Sequence, residues 1–389
     1  MNRKMQVLTA ALFVGVLLSF AIAFWILPDQ SFSEQENRSL KTFPKFTWQK
    51  LADGRFGDEM NDYFADQFPI RDVMVGIKGC AEVALGKGGN NGVILGKGGQ
   101  LQSTTFDALL EDGSVMKDTD AFDPAVVDAA LEGIDRAATR AKVPFSVLLT
   151  GRTVDVTVSS SSYPSQFSDA LLARVREGMS SSVTYLDTVP DFRARHDAGE
   201  YVYFKTDHHW TTLGAYYAYA DVMRSFGMEG EILSADAFEK RVVSTDFYGT
   251  AWSAGGMKFV PPDTLELWYL GNEDAFEVTA DGKELDSFYS LSYLATKDKY
   301  SVFLDGTHDV VTVKKPGEER PTLLILKDSF ANSVAPFLAQ HFDLVLINLS
   351  SRNDYTDLTS LADEYDADCL LLLYTLENMI TADKLAKLR

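Results

Sequence analysis

The chain has 389 residues, of which 46% are hydrophobic and 24% charged, the composition of a folded protein with room for one large α/β domain or two smaller ones. Its 56 acidic residues outnumber 36 basic ones, for a formal net charge of −20. That balance excludes nucleic acid as a natural partner, because such binding depends on Lys and Arg displacing phosphate counterions. Two cysteines, Cys80 and Cys369, are too few for a disulfide scaffold. Each stands in an apolar setting, and the pair admits either a bridge or two buried thiols.

Residues 7–27 carry no charge and follow Arg3 and Lys4. As a helix such a run spans roughly 30 Å, the thickness of a bilayer's hydrocarbon core. The basic residues should stay cytoplasmic, which places everything after Leu27 outside. Ala21-Ile22-Ala23 resembles a signal-peptidase site, so a cleaved leader is the alternative. The apolar run is long for a leader and continues through Phe24, Trp25 and Ile26, which favours an uncleaved, single-pass anchor over residues 1–27. Either reading exports the rest: a polar tether over 28–47 and a folded domain over 48–389.

From Trp48 to about Gly86 the chain reads as helical, with Phe56, Met60, Phe64 and Phe68 recurring every four residues. Glycines 86 to 99 bracket a short strand at Val93 to Leu95, as in a hairpin. They do not form the G-x-x-x-x-G-K-[ST] phosphate loop. A helix opened by Asp123-Pro124 precedes a buried-type strand at 144–150; a second helix over 166–179 precedes a strand at 183–186. Residues 235–320 change to short alternating runs with glycines and aromatics, the texture of a β-rich insert. Apolar runs at 322–326, 344–349 and 369–374 alternate with helices at 332–341 and 356–365. This spacing predicts right-handed parallel crossovers, hence a three-layer α/β/α domain with a mainly parallel sheet.

Ser329 falls between the strand TLLILKD and the helix FANSVAPFLAQ. Reactive groups gather at the carboxyl ends of parallel strands, and the first N–H groups of a following helix favour a developing oxyanion. Helix capping by Ser329 or Asp328 is the plainer reading. A serine nucleophile needs a base held in one tautomer. Of five histidines, His208 and His209 are adjacent, in Asp207-His208-His209-Trp210. In an extended or turn segment Asp207 and His209 share one side, so the carboxylate can hold one imidazole nitrogen and leave the other for the serine. Metal ligation is a second reading, although adjacent histidines seldom point at one ion. A structural role, with His208 packed and Asp207 capping, is a third.

FKTDHHWTTLGAYYAY resembles the signature of the DHHW proteins, which are similar to the alginate O-acetyltransferases of the SGNH hydrolase group. The resemblance extends to ENRSLKTFPKF, EMNDYFADQFPIRD, VILGKGGQL, DKYSVFLDGTHDVV and LLILKDSFANSVAPFL, nearly all of the exported part. It implies an SGNH-hydrolase-like domain in which Ser329 is the nucleophile, His209 the general base and Asp207 the orienting acid, with no cofactor and no metal. It also implies an extracytoplasmic O-acetyltransferase acting on a polysaccharide, often beside a membrane-bound O-acyltransferase. An acetyl esterase and a non-catalytic polysaccharide-binding scaffold are the alternatives. Two departures bear on this. The family's Gly-Gly-Asn-His stretch reads Asp305-Gly306-Thr307-His308 here, and its Asp-x-Arg segment reads Asn348-Leu349-Ser350-Ser351-Arg352. Arg352 and Tyr374, both near strand ends, are the candidate substrate-binding residues.

Overall fold

A computed structural model of the chain describes residues 3–33, 38–103, 122–161, 166–352 and 354–389. They form two compact units, Met1–Ala81 and Glu82–Arg389.

In the first unit the apolar run folds as one helix, Arg3–Ile26, with none of its residues buried. Its length and composition suit a membrane span or a signal sequence. Helices Arg55–Asp66 and Arg71–Ala84 follow. The segment read as a tether is held along part of its length. Gln67 sits at the end of Arg55–Asp66; its amide accepts from Gln30 N–H at 2.9 Å and donates to the carbonyls of Gln30 and Lys41 at 2.8 Å each. Asp66 accepts from the Lys41 N–H at 2.8 Å. One amide and one carboxylate therefore do what a strand partner would, without leaving any period in the sequence.

The second unit is built on an eight-stranded sheet. In chain order its strands are β1 (Phe145–Thr150), β2 (Thr184–Leu186), β3 (Glu277–Ala280), β4 (Lys283–Leu285), β5 (Val310–Lys314), β6 (Thr322–Lys327), β7 (Asp343–Asn348) and β8 (Cys369–Thr375). The spatial order is β4-β3-β5-β7-β6-β8-β1-β2. The pairs β7/β6, β6/β8, β8/β1 and β1/β2 are parallel, as the alternation of strands and helices predicts. Their continuous apolar runs reflect burial on both faces. Leu323, Ile325, Leu344, Leu346, Leu371 and Leu373 join one apolar cluster, whereas Leu324, Leu326, Val345, Ile347, Leu370 and Leu372 join another. Helix Thr212–Ser225 packs into the first cluster and Pro124–Arg140 into the second.

The region 235–320 is not a separate β insert throughout. Glu239–Phe247 and Asp263–Tyr269 pair as their own antiparallel ribbon, but β3, β4 and β5 extend the main sheet. Val311 and Val313 of β5 lie opposite Leu346 and Leu344 of β7, antiparallel. Alternation announces a strand; it does not name the partner.

Register aligns the carboxyl ends of the parallel strands. Lys327 stands opposite Asn348 on one side and Leu373 on the other, and Thr375 opposite Thr150. The segments leaving β6 and β8 therefore start at one edge of the sheet.

Lys327, the last residue of β6, is 1% exposed. Its ammonium donates to Asn332 Oδ1 at 2.7 Å, and Asn332 Nδ2 donates to the Gly306 carbonyl at 2.9 Å. Burial pushes its pKa from 10.5 down to about 8. Between those values the unfolded chain holds a proton that the folded chain has released, so stability rises with pH across the window. Below pH 8 the burial penalty is present in full. We predict that Lys327→Met raises stability at pH 7 by roughly 1–2 kcal/mol, once the loss of the Asn332 donor is allowed for. Urea midpoints should show that gain shrinking as pH rises through 8 toward 10.5; a gain independent of pH would contradict the assignment.

Candidate active site

The loop carrying Asp207, His208 and His209 is closed at its base by a bridge between Tyr203 and Trp210. Phe204 N–H donates to the His209 carbonyl at 3.1 Å, and Thr211 N–H to the Val202 carbonyl at 3.0 Å. Thr211 then caps helix Thr212–Ser225, accepting from Gly214 N–H at 3.3 Å. Asp263, on the antiparallel ribbon, holds the loop from outside. Its buried carboxylate accepts from Lys205 N–H at 2.9 Å, Thr206 N–H at 2.7 Å and Thr206 Oγ1 at 2.5 Å, and also from the Tyr201 hydroxyl. Burial raises its pKa, against the lowering effect of these donors. Nothing local in the sequence singles out Asp263.

On this loop Asp207 and His209 meet Ser329. His209 Nδ1 and Asp207 Oδ1 are 2.5 Å apart, and His209 Nε2 and Ser329 Oγ are 2.7 Å apart. The Asp207 carboxylate also accepts from His209 N–H at 3.0 Å and from Thr250 N–H and Oγ1 at 2.8 and 3.2 Å. Burial alone would raise the Asp207 pKa. The His208 and His209 imidazoles, with the hydrogen bonds from His209 and Thr250, outweigh it and hold the group well below the carboxylate range. Burial, then the neighbouring His209, lowers the His208 pKa. The His209 ring lies flat on Tyr300, with centroids 3.6 Å apart at 9°, and Phe330 closes in at 4.8 Å. The imidazole is thus fixed by packing as well as by hydrogen bonds.

Ser329 is presented by the turn after β6, and Asp328 anchors that turn. Its Oδ2 accepts from Thr375 N–H at 2.7 Å and Asn378 Nδ2 at 2.8 Å, tying the turn to the end of β8. Its Oδ1 accepts from Phe330 N–H at 3.2 Å. The N–H groups expected to serve an oxyanion are therefore taken. Phe330 N–H faces Asp328, Ala331 N–H the Asp328 carbonyl at 3.3 Å, and Asn332 N–H the Ser329 carbonyl at 3.2 Å. Among the described residues the Ser329 N–H has no acceptor.

Ser329 opens into a cleft of about 350 Å³ lined by His208, Thr250, Phe330, Glu377 and Asn378 on one part and by Asn91 to Val93 and Ser103 on another. Arg352 and Tyr374 do not line it. Tyr374 is 1% exposed and lies in the cluster with Leu370 and Leu372, because alternation along β8 turns it to the face opposite Leu373. Arg352 follows the short turn Leu349–Ser351, and its carbonyl accepts from Lys384 Nζ at 2.7 Å. Thr307, which stands where the resemblance expects asparagine, is exposed and also off the cleft. Glu377, which the sequence reading passed over, is on it. For a metal, Asp207, His208 and His209 offer one ligand atom each within 4.8 Å, but both His209 nitrogens already hold hydrogen bonds that an ion would break.

A family model described as DHHW protein matches residues 153–348. Among solved structures, a DHHW family protein from Eubacterium siraeum is 17% identical, with a TM-score of 0.55, over 76% of this chain and 97% of that one. PatB1 of Bacillus cereus, solved with a sulfonyl adduct, is 19% identical with a TM-score of 0.58, over 69% of this chain and 94% of that one. The O-acetyltransferase domain of Pseudomonas putida AlgJ is 14% identical with a TM-score of 0.44, over 75% of this chain and 93% of that one. No curated protein matches the chain.

Gly249 packs directly beneath the acid of the site. A Cβ there would lie 2.2 Å from the Asp207 Cβ and 2.3 Å from Oδ2. Gly249→Ala should therefore push the carboxylate off His209 and slow acylation of Ser329 by an activated ester on the order of 10²-fold. Stopped-flow acylation alongside circular dichroism tests this; an unchanged rate would mean that Asp207 placement is immaterial to the serine.

Proposed function

This chain belongs to the DHHW family, and on that premise we propose that it is an extracytoplasmic serine acyltransferase that O-acetylates a cell-surface or exported polysaccharide. The observation that carries the proposal is the unbroken line of hydrogen bonds from Asp207 through His209 to Ser329, at 2.5 and 2.7 Å. A neutral imidazole held at Nδ1 by a carboxylate leaves Nε2 as acceptor for the serine proton.

In the proposed reaction Ser329 Oγ attacks the acetyl carbonyl of a donor while His209 takes its proton. The tetrahedral oxyanion is held by the Ser329 N–H, and collapse expels the donor's leaving group, protonated by His209. A sugar hydroxyl then gives its proton to His209 and attacks the acetyl-serine, returning Ser329 and releasing the ester. Asp207 stays ionised and steadies the imidazolium in both halves. Water in place of the sugar would make the same machinery an acetyl esterase. The N-terminal helix serves in this reading as a single-pass anchor with Arg3 and Lys4 on the cytoplasmic side. The acetyl group reaches the outer face through a membrane-bound O-acyltransferase.

The test uses the purified chain with phenylmethylsulfonyl fluoride, an aryl acetate and neutral oligosaccharides. Wild type should gain one sulfonyl group on Ser329 by mass spectrometry and release phenolate. Ser329→Ala should do neither, and Asp207→Asn should retain roughly 10⁻⁴ of the rate. Acetylated oligosaccharide identifies the transferase, and free acetate alone the esterase. If wild type and Ser329→Ala were equally inert toward all three reagents, the chain would be a polysaccharide-binding scaffold. Activity lost to a chelator would instead identify a metal enzyme.

A further inference from the structure

We propose that helices Arg55–Asp66 and Arg71–Ala84 lie on the lipid bilayer, with Phe64, Phe68, Ile70, Val73 and Ile77 set into its headgroup and upper acyl region. The proposal rests on the reading of Arg3–Ile26 as an anchor, and the geometry within the first unit carries it further. Phe20 of that helix stacks on Phe68, with ring centroids 5.2 Å apart at 21°. One turn later Phe24 meets Phe64 at 5.3 Å and Tyr63 at 5.8 Å. Phe20 lies six residues inside the Ile26 end, about 9 Å down the axis at ~1.5 Å per residue. A helix that spans the membrane carries Phe20 below the interface, and whatever stacks on Phe20 goes with it.

The apolar surface continues from that contact. Phe64, Phe68, Ile70, Val73 and Ile77 are 42–57% exposed. Val73 and Ile77 are one turn apart on Arg71–Ala84 and so occupy one side of it, while Phe64 and Phe68, the latter just past the end of Arg55–Asp66, both meet the first helix. Exposed single apolar residues are ordinary, but a row continuous with a membrane helix marks a lipid-facing surface. Asp66 and Tyr63 are turned inward. Asp66 accepts from the Lys41 N–H, and the Tyr63 hydroxyl donates to Asp29 at 3.0 Å. Trp25 and Trp48 are exposed, as indoles at a membrane boundary are. The segment after the anchor thus becomes a platform seated in the lipid surface.

The experiment uses the full chain in phosphatidylcholine–phosphatidylglycerol nanodiscs, in a Cys80→Ser background with the buried Cys369 left in place. Single substitutions Val73→Cys, Ile77→Cys, Asp62→Cys and Val16→Cys carry an environment-sensitive nitrobenzoxadiazole label. Labels at 73 and 77 should show blue-shifted emission, quenching by nitroxide-bearing lipids and protection from aqueous iodide. The label at 62 should behave oppositely, and the label at 16 should be quenched by acyl-chain nitroxide. If 16 is quenched by lipid but 73 and 77 are quenched by iodide as fully as 62, the proposal is overturned and the anchor stands. Labels at 73 and 77 shielded from both quenchers would mean that a second copy covers the face, which also overturns it. If 16 is not quenched by lipid either, the anchor reading falls and takes this proposal with it.

Discussion

The carboxylate of Asp328 is the fastening on which the site depends. Parallel strands bring chain segments to one edge of a sheet, but they do not by themselves hold those segments in a fixed relation. Asp328 does so by accepting from Phe330 N–H on its own turn and from Thr375 N–H and Asn378 Nδ2 on the next strand's turn. The residue immediately before Ser329 thereby joins two strands, and the serine's position is set by the register of the sheet. A helix cap would use the same oxygen for one N–H; here the second oxygen reaches across to another strand. Sequence reasoning that treats Asp328 as a cap sees half of what it does.

The other half of the site is held on the same plan by residues that do not line the cleft. Asp263 satisfies the Lys205 and Thr206 N–H groups just before Asp207, and Gly249 lets the ribbon's following turn press against the Asp207 side chain. Tyr300 supplies a flat wall for the imidazole. Each constraint removes one freedom of His209: translation of its loop, rotation about its side chain, or exchange of tautomer. What results is an imidazole with a single place to accept a proton, the arrangement that a serine nucleophile requires.

The sequence made legible whatever is local. Continuous apolar runs announce the parallel strands β1, β6, β7 and β8, and a serine after one of them, with an Asp and a His two apart on another loop, announces three candidate site residues. Their convergence is a property of the fold, since Ser329 and His209 are separated by 120 positions. Side-chain parity escaped the reading at Tyr374. A strand's end brings a residue to the right edge of the sheet, but alternation decides its face, and Leu373 takes the face toward Tyr203 and Phe330. Partner choice escaped at β5, where alternation is the same for a free-standing hairpin as for a strand added to a central sheet. Asp263, Gly249 and Asp328's second oxygen act across 40 or more positions and leave no periodic trace.

The stretch Asp305-Gly306-Thr307-His308, where the chain departs from the family's pattern, forms a tight turn beside the helix after Ser329. Thr307 is exposed and does not line the cleft into which Ser329 opens. Leu304, Asp305 and Gly306 have φ of 52°, 59° and 83°, three left-handed residues in a row, which costs about 1–3 kcal/mol for each non-glycine. The turn is held by Leu304 N–H on the Phe288 carbonyl, by His308 between Asp281 and Asp305, and by Asn332 Nδ2 on the Gly306 carbonyl. Asn332 in turn receives Lys327. A strained turn and a buried lysine, both unfavourable for folding, thus meet at one asparagine in the first turn of the helix after Ser329. Natural chains keep such local costs where a site must be held rigid, and this one keeps them against the helix that follows Ser329.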